Sequence, residues 1–298
     1  MNRRLMNPFC AGAMAAVLPA MALAANAGEN FPALESGKRI EILFTNADLP
    51  PTLYSMMNGG GAPPCVTFRL PDHYSATNTY PLVLYVPGND GNPKGNMDNA
   101  EAIAPDGWIA ATVPLFKKSV DANEPFGGVI VSFEDYPVLS RAYRVMLGRL
   151  FETVPNIDAK RSAMVGFSNG AITTGILVSC HDEFILSHFR NFCLVDQGMF
   201  HLSDLHKSGA RESKFLFLVG DQPEMGRDVK LRQAQLQQDA WKLLGVDVTY
   251  RVMTNTGHEF FEPQMAIVRN WLTNDVSPVV PVPVGSDDNN KTNRKNDL

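Results

Sequence analysis

The stretch Ala163-Met164-Val165-Gly166-Phe167-Ser168-Asn169-Gly170 decides how this chain is read. Three apolar residues enter it from the left, and a run of small, helix-compatible residues, Gly170-Ala171-Ile172-Thr173-Thr174-Gly175-Ile176-Leu177-Val178, leaves it on the right. Ser168 is therefore expected on a sharp turn from a strand into a helix, where its hydroxyl stands clear of the backbone. Gly166 and Gly170 lie two residues to either side, where a Cβ would strike the neighbouring strand or helix. The helix that follows turns its N-terminal N–H groups and the positive end of its dipole towards the serine, favouring negative charge that develops there. The same spacing also suits a plain β–α turn with a helix-capping serine. The strand before it and the helix after it are what make Ser168 a candidate nucleophile.

Outward from this turn, apolar runs alternate with segments of helical period. Residues 81–86, 108–114, 192–195, 215–220 and 246–253 read as strands, the first ending in Gly88-Asn89-Asp90-Gly91, and 65–70 alternates like a half-buried strand. Residues 38–45 alternate weakly, as an edge strand does, and 58–64 form a turn-rich break. Helices are expected over 97–104, 136–154, 229–244 and 263–272. Strands alternating with helices predict an α/β class fold, a doubly wound, mostly parallel sheet with helices on both faces.

With 298 residues, 45% hydrophobic and 19% charged, the chain can bury one large core, and 28–275 is read as one catalytic domain. A formal net charge of -5 leaves no basic face for a phosphate backbone, so no nucleic-acid partner is expected. Arg3 and Arg4, the apolar stretch 11–24, and the small residues Ala22-Leu23-Ala24 and Ala25-Asn26-Ala27 read as a signal peptide over 1–27, cut near Ala24 or Ala27. The alternative is an uncleaved anchor, for which the stretch is short. The expected location is secreted or periplasmic, with no membrane span after cleavage. The tail, 276–298, has too little apolar surface to order and is expected to be disordered. Of the cysteines, Cys10 falls in the signal segment, and Cys65, Cys180 and Cys193 remain. Cys180 and Cys193 are closest in sequence, which leaves a disulfide or two buried thiols open. No Cys/His spacing resembles a zinc site, and no metal is expected.

A serine hydroxyl needs a base to take its proton and an acid to orient that base. In hydrolases with such a turn the order along the chain is serine, acid, histidine. His258, in Asn255-Thr256-Gly257-His258-Glu259 after the last strand, satisfies that order; His181, His188, His201 and His206 follow the serine too closely. The acid is expected after the 215–220 strand, where Asp221, Glu224 and Asp228 compete. Glu224 is preferred narrowly over Asp221, because Asp221 sits close to the strand end and Asp228 suits the first turn of a helix. Asp196, after the preceding strand, is the outside candidate. For the oxyanion, the N–H of Asn169 and a donor from Asn89 in the loop after the 81–86 strand are expected.

Pro87-Gly88-Asn89, Gly166-Phe167-Ser168-Asn169-Gly170, the Gly220-Asp221 loop and Gly257-His258 together resemble the α/β-hydrolase superfamily of serine hydrolases over nearly all of the chain after residue 27. Within it they look like the secreted esterase branch related to dienelactone hydrolases and polyhydroxyalkanoate depolymerases. The resemblance implies hydrolysis of carboxylic esters through an acyl-serine, with no metal or organic cofactor and a small-molecule or polymer-borne ester as partner. Pro223 departs from the branch where its aspartate usually stands. The short connection between Gly198 and Phe215 leaves about fifteen residues where many relatives insert a lid, so no large lid domain is expected. The competing readings are a peptidase or other acyl hydrolase of the same fold, and a silent binding protein that kept the fold without the acid.

Overall fold

Each strand of the sheet repeats the same physical pattern: alternate residues of an apolar run point to opposite faces, and helices cover both. The computed structural model describes residues 31–45, 47–49, 63–89, 93–116, 118–119, 128–129, 132–198, 212–222 and 227–275. The expected signal segment 1–27 and tail 276–298 lie outside them, as does 199–211, where a lid insertion would fall.

Eight strands form one sheet: β1 Arg39–Leu43, β2 Cys65–Arg69, β3 Leu82–Val86, β4 Ile109–Thr112, β5 Ala163–Phe167, β6 Asn191–Val195, β7 Lys214–Gly220 and β8 Asp247–Met253. Their order across the sheet is β1-β2-β4-β3-β5-β6-β7-β8. The β1–β2 and β2–β4 pairs are antiparallel and the others parallel. Among the described residues the α-helices are α1 Met97–Ile103, α2 Tyr136–Thr153, α3 Asn169–Ser179, α4 Glu183–His188, α5 Arg227–Leu243 and α6 Gln264–Asp275.

The central strands bury every residue of β3 and β6, as their unbroken apolar runs require. Their side chains divide between two cores. Leu82, Leu84, Phe192, Leu194, Phe215 and Phe217 join α2, α3 and α5 on one face. Val83, Tyr85, Cys193, Val195, Leu216 and Leu218 join α1 and α6 on the other. β1, at the edge, buries only Ile40 and Ile42 and exposes Arg39, Glu41 and Leu43. Helix α3 is buried along its whole length, which explains why its sequence is small and apolar all round.

The two faces also decide the cysteines. Cys193 points from β6 into the α1/α6 core, whereas Cys180, at the end of α3, packs against the opposite core. Both thiols, and that of Cys65, are free. The sheet therefore stands between Cys180 and Cys193, and closeness in sequence was no guide to pairing.

Candidate active site

The strand order reverses between β3 and β5, and the crevice beyond the carboxyl ends of such strands is where ligands bind in open α/β sheets. Ser168 stands at that edge of the sheet, directly after β5 and before α3. Its backbone is held at φ 53°, ψ -119°, a conformation that costs an ordinary residue about 1–3 kcal/mol. The surroundings over-determine it. Ser168 N–H donates to Val195 O at 3.0 Å, tying the turn to the end of β6, and Ser168 O accepts from Ile172 N–H at 3.1 Å. A Cβ on Gly170 would lie 2.1 Å from Val86 O, so α3 can start this close to β3 only with glycine there.

His258 arrives from the loop between β8 and α6. Its Nε2 lies 2.8 Å from Ser168 Oγ, and its Nδ1 is hydrogen-bonded to Asp196 Oδ2. The histidine side chain is 37% exposed and the aspartate fully buried, so the relay runs from the protein interior to the solvent edge. One ring face of His258 stacks on Phe167 at 5.1 Å between centroids; Phe167 stacks on Phe260, and Phe260 on Tyr85. The His258 loop reaches over the sheet because β7 ends in Gly220, where a Cβ would lie 2.3 Å from Thr256 O and 2.6 Å from Gly257 O.

The described carboxylate that meets the histidine ring is Asp196, the outside candidate, and not Asp221. Asp196 follows β6, in a left-handed backbone conformation at φ 59°, with its N–H donating to Leu218 O at 2.7 Å. Its Oδ1 accepts from Gly220 N–H at 3.2 Å, leaving Oδ2 for the histidine. Asp221 instead turns its Oδ1 to the Thr256 N–H at 3.3 Å, bracing the histidine loop through its backbone. Glu224 lies outside the described residues, and Asp228 is exposed in the first turn of α5. A buried carboxylate costs too much free energy to stand alone, and Asp196 is satisfied by a main-chain donor and an imidazole. The signal in the sequence was its place: an aspartate directly after a strand apolar from Phe192 to Val195.

A second basic group reaches the same carboxylate and was missed from the sequence. Lys230 Nζ, from α5, is 3.8 Å from Asp196 Oδ2, with its side chain 17% exposed. Helix α5 is anchored over the sheet by Trp241, edge-on to Phe215 at 5.0 Å and to Phe217 at 5.3 Å.

For an oxyanion, Asn169 opens α3, where helix geometry gives its N–H no intrahelical acceptor. The loop after β3 passes beside it: a Cβ on Gly88 would lie 3.4 Å from Ser168 Cβ, and Asn89 follows at the surface. Residues 90–92 lie outside the described set.

The fold matches solved structures. Thermogutta terrifontis esterase 2, in a form phosphoramylated by tabun, superposes with a TM-score of 0.52 at 11% identity, over 83% of this chain and 98% of that one. A thermostable esterase superposes with a TM-score of 0.50 at 14% identity, over 80% of this chain and 60% of that one, so the chain spans about three fifths of its length. The chain has an α/β-hydrolase fold. No protein-family model matches the sequence. No curated protein matches it either. At such identities the α/β-hydrolase likeness concerns the eight-stranded sheet and its helices, and the chemistry of the site rests on its own geometry.

Proposed function

We propose that this chain is a secreted or periplasmic serine hydrolase that cleaves carboxylic esters through an acyl-serine, with Ser168 as nucleophile, His258 as base and Asp196 as acid. The observation that carries the reading is the continuous line from Asp196 Oδ2 through His258 to Ser168 Oγ, ending at a hydroxyl on a strained turn at the carboxyl end of β5. With Nδ1–H held by the carboxylate, Nε2 keeps its lone pair towards the serine. Ser168 Oγ attacks the ester carbonyl carbon as Nε2 takes its proton, and the carbonyl oxygen becomes the oxyanion. The Asn169 N–H and a donor from the Gly88–Asn89 loop stabilise that charge. His258 then hands the proton to the departing alkoxide, which leaves as the alcohol. Water attacks the acyl-serine with the same base, releasing the acid and restoring the serine. The partly exposed His258 suits an ester on a bulky molecule or a polymer as well as a small one.

The experiment is hydrolysis of short and medium p-nitrophenyl esters, beside the matching p-nitroanilides, by the wild type and Ser168→Ala. Ester turnover lost by a factor of about 10³ or more in the variant is the expected result. Anilide cleavage in preference to ester would make the enzyme a peptidase of this fold. Identical rates for wild type and variant on every substrate would overturn the nucleophile assignment and favour a silent binding role.

A further inference from the structure

The backbone at His258 is held by little packing of its own. Gly257, beside it, has open space where a Cβ would stand, and the His258 side chain is partly exposed. What fixes this loop is the buried Thr256, whose polar groups are all taken. Its N–H donates to Asp221 Oδ1 at 3.3 Å, its carbonyl accepts from the Gln222 N–H at 2.9 Å, and its hydroxyl donates to Thr254 O at 3.1 Å. The same hydroxyl accepts from Gln264 Nε2 at 3.0 Å, while Gln264 Oε1 accepts from the Phe261 N–H at 3.1 Å. One side-chain amide thus holds the chain on both sides of His258, at Thr256 before it and at Phe261 after it. Gln264 is the first residue of α6, a helix seated in the core by Met265, Val268, Trp271 and Leu272. We propose that Gln264 is a positioning residue that clamps both ends of the histidine loop to α6, keeping the imidazole in line between Asp196 and Ser168. Its consequence for turnover rests on the proposed hydrolase mechanism, whereas the clamp itself does not.

The amide suits this task because its two halves differ. The NH2 only donates and the carbonyl oxygen only accepts, so a hydroxyl oxygen and a backbone N–H can be gripped at once by one rigid plane. Phe260 also steadies the loop, stacked on Tyr85 and Phe167. Ring stacking tolerates a broad range of geometries, however, and a hydrogen bond is directional. Direction matters at the other end of the loop, where Nε2 stands 2.8 Å from Ser168 Oγ. A displacement of about 1 Å between reacting groups costs about 10² in rate. Loss of the clamp should therefore appear in kcat, where the proton moves, and leave KM nearly alone.

The test uses Gln264→Met, which keeps the length of the side chain without either bond, and the pair Thr256→Val and Thr256→Ser, which remove and retain the hydroxyl. On a p-nitrophenyl ester, Gln264→Met should lower kcat by about 10- to 100-fold with KM changed by less than about threefold. Thr256→Val should fall in the same sense and Thr256→Ser should recover most of that loss. The double variant Gln264→Met/Thr256→Val should be little worse than Gln264→Met, because both changes break one link. In a His258→Ala background Gln264→Met should alter the residual rate by less than about twofold, since a residue that acts through the histidine has nothing left to hold. Equal fractional losses with and without His258 would overturn the inference, as would losses that multiply in the double variant, because both mark a general disturbance of the fold. Exchange of the Phe261 amide with deuterated solvent, followed by NMR, should quicken by about tenfold or more in Gln264→Met, and an unchanged rate would equally overturn the clamp. A wild type that cleaves no ester defeats the functional reading, while this exchange still decides whether Gln264 holds the loop. Should Gln264→Met not fold, the Thr256 pair carries the same kinetic expectations from the other end of the link.

Discussion

Changing Asp196 to asparagine alters one atom pair and leaves the volume unchanged, so it isolates the acid of the proposed relay. The Gly220 N–H at 3.2 Å demands an acceptor, so the asparagine oxygen will take the Oδ1 position and the amide NH2 will face His258. An NH2 there can only donate, so Nδ1 must become an acceptor and the ring's proton moves to Nε2, pointing at Ser168. The base then offers the serine a proton instead of a lone pair. The transition state also loses the carboxylate that would stabilise the imidazolium. Two unit charges about 4 Å apart at an effective dielectric near 20 are worth about 4 kcal/mol, or about three decades of rate. With the tautomer penalty added, kcat should fall by about 10³–10⁴. The assay is steady-state hydrolysis of a p-nitrophenyl ester, with thermal melting to confirm that the variant is folded. Asp221→Asn and Glu224→Gln, run in parallel, should each stay within about tenfold of wild type. A folded Asp196→Asn protein retaining a tenth of wild-type kcat, or a Glu224→Gln protein losing a thousandfold, would refute the assignment of Asp196.

Three further outcomes follow from the packing. Gly220→Ala puts a methyl 2.3 Å from Thr256 O, so the histidine loop must shift and activity should fall by about 10²-fold, measured as kcat/KM with Ser168 and His258 still present. Trp241→Ala empties the space over Phe215 and Phe217 and should lower unfolding free energy by about 3–5 kcal/mol in a urea titration. Burial pushes the Cys193 thiol and the Tyr143 phenol above their ordinary values of 9.0 and 10.0. Folding therefore keeps both neutral where the unfolded chain would ionise them. Their contribution is complete below pH 9 and declines as pH rises past those unfolded values, by about 1.4 kcal/mol per pH unit for each group. Stability against urea between pH 9 and 11 should fall less steeply in Cys193→Val than in wild type; equal slopes would mean that the thiol is not held neutral.

The sheet was legible because its central strands are buried on both faces, and runs such as Leu82–Val86 and Phe215–Gly220 announce that directly. Ser168 and His258 were legible from a glycine-flanked turn and from chain order. The acid was not. β6 and β7 are neighbours, about 4.8 Å apart, and each ends at the same edge beside an aspartate. Which one meets the histidine depends on how far the loop after β8 travels across that edge, and here the opening at Gly220 lets it reach Asp196. Spacing along the chain cannot express that distance. Lys230 was hidden for a related reason: in sequence it is one of several charges in the first turns of a polar helix, and only the seating of α5 by Trp241 brings it to a buried carboxylate.

That Ser168 and Asp196 issue from adjacent strands bears on how the molecule fails when heated. The two are joined across β5 and β6 by the Ser168 N–H to Val195 O bond, at the centre of the sheet, while His258 hangs from the terminal strand, whose outer residues Arg251 and Val252 face solvent. Segments at the edge of a fold open at lower free energy than its centre. Loss of the C-terminal strand and its loop would withdraw His258 while leaving Ser168 and Asp196 in register. Thermal inactivation is thus expected to run ahead of global melting and to reverse on cooling, as a detachable part returns to a frame that never came apart.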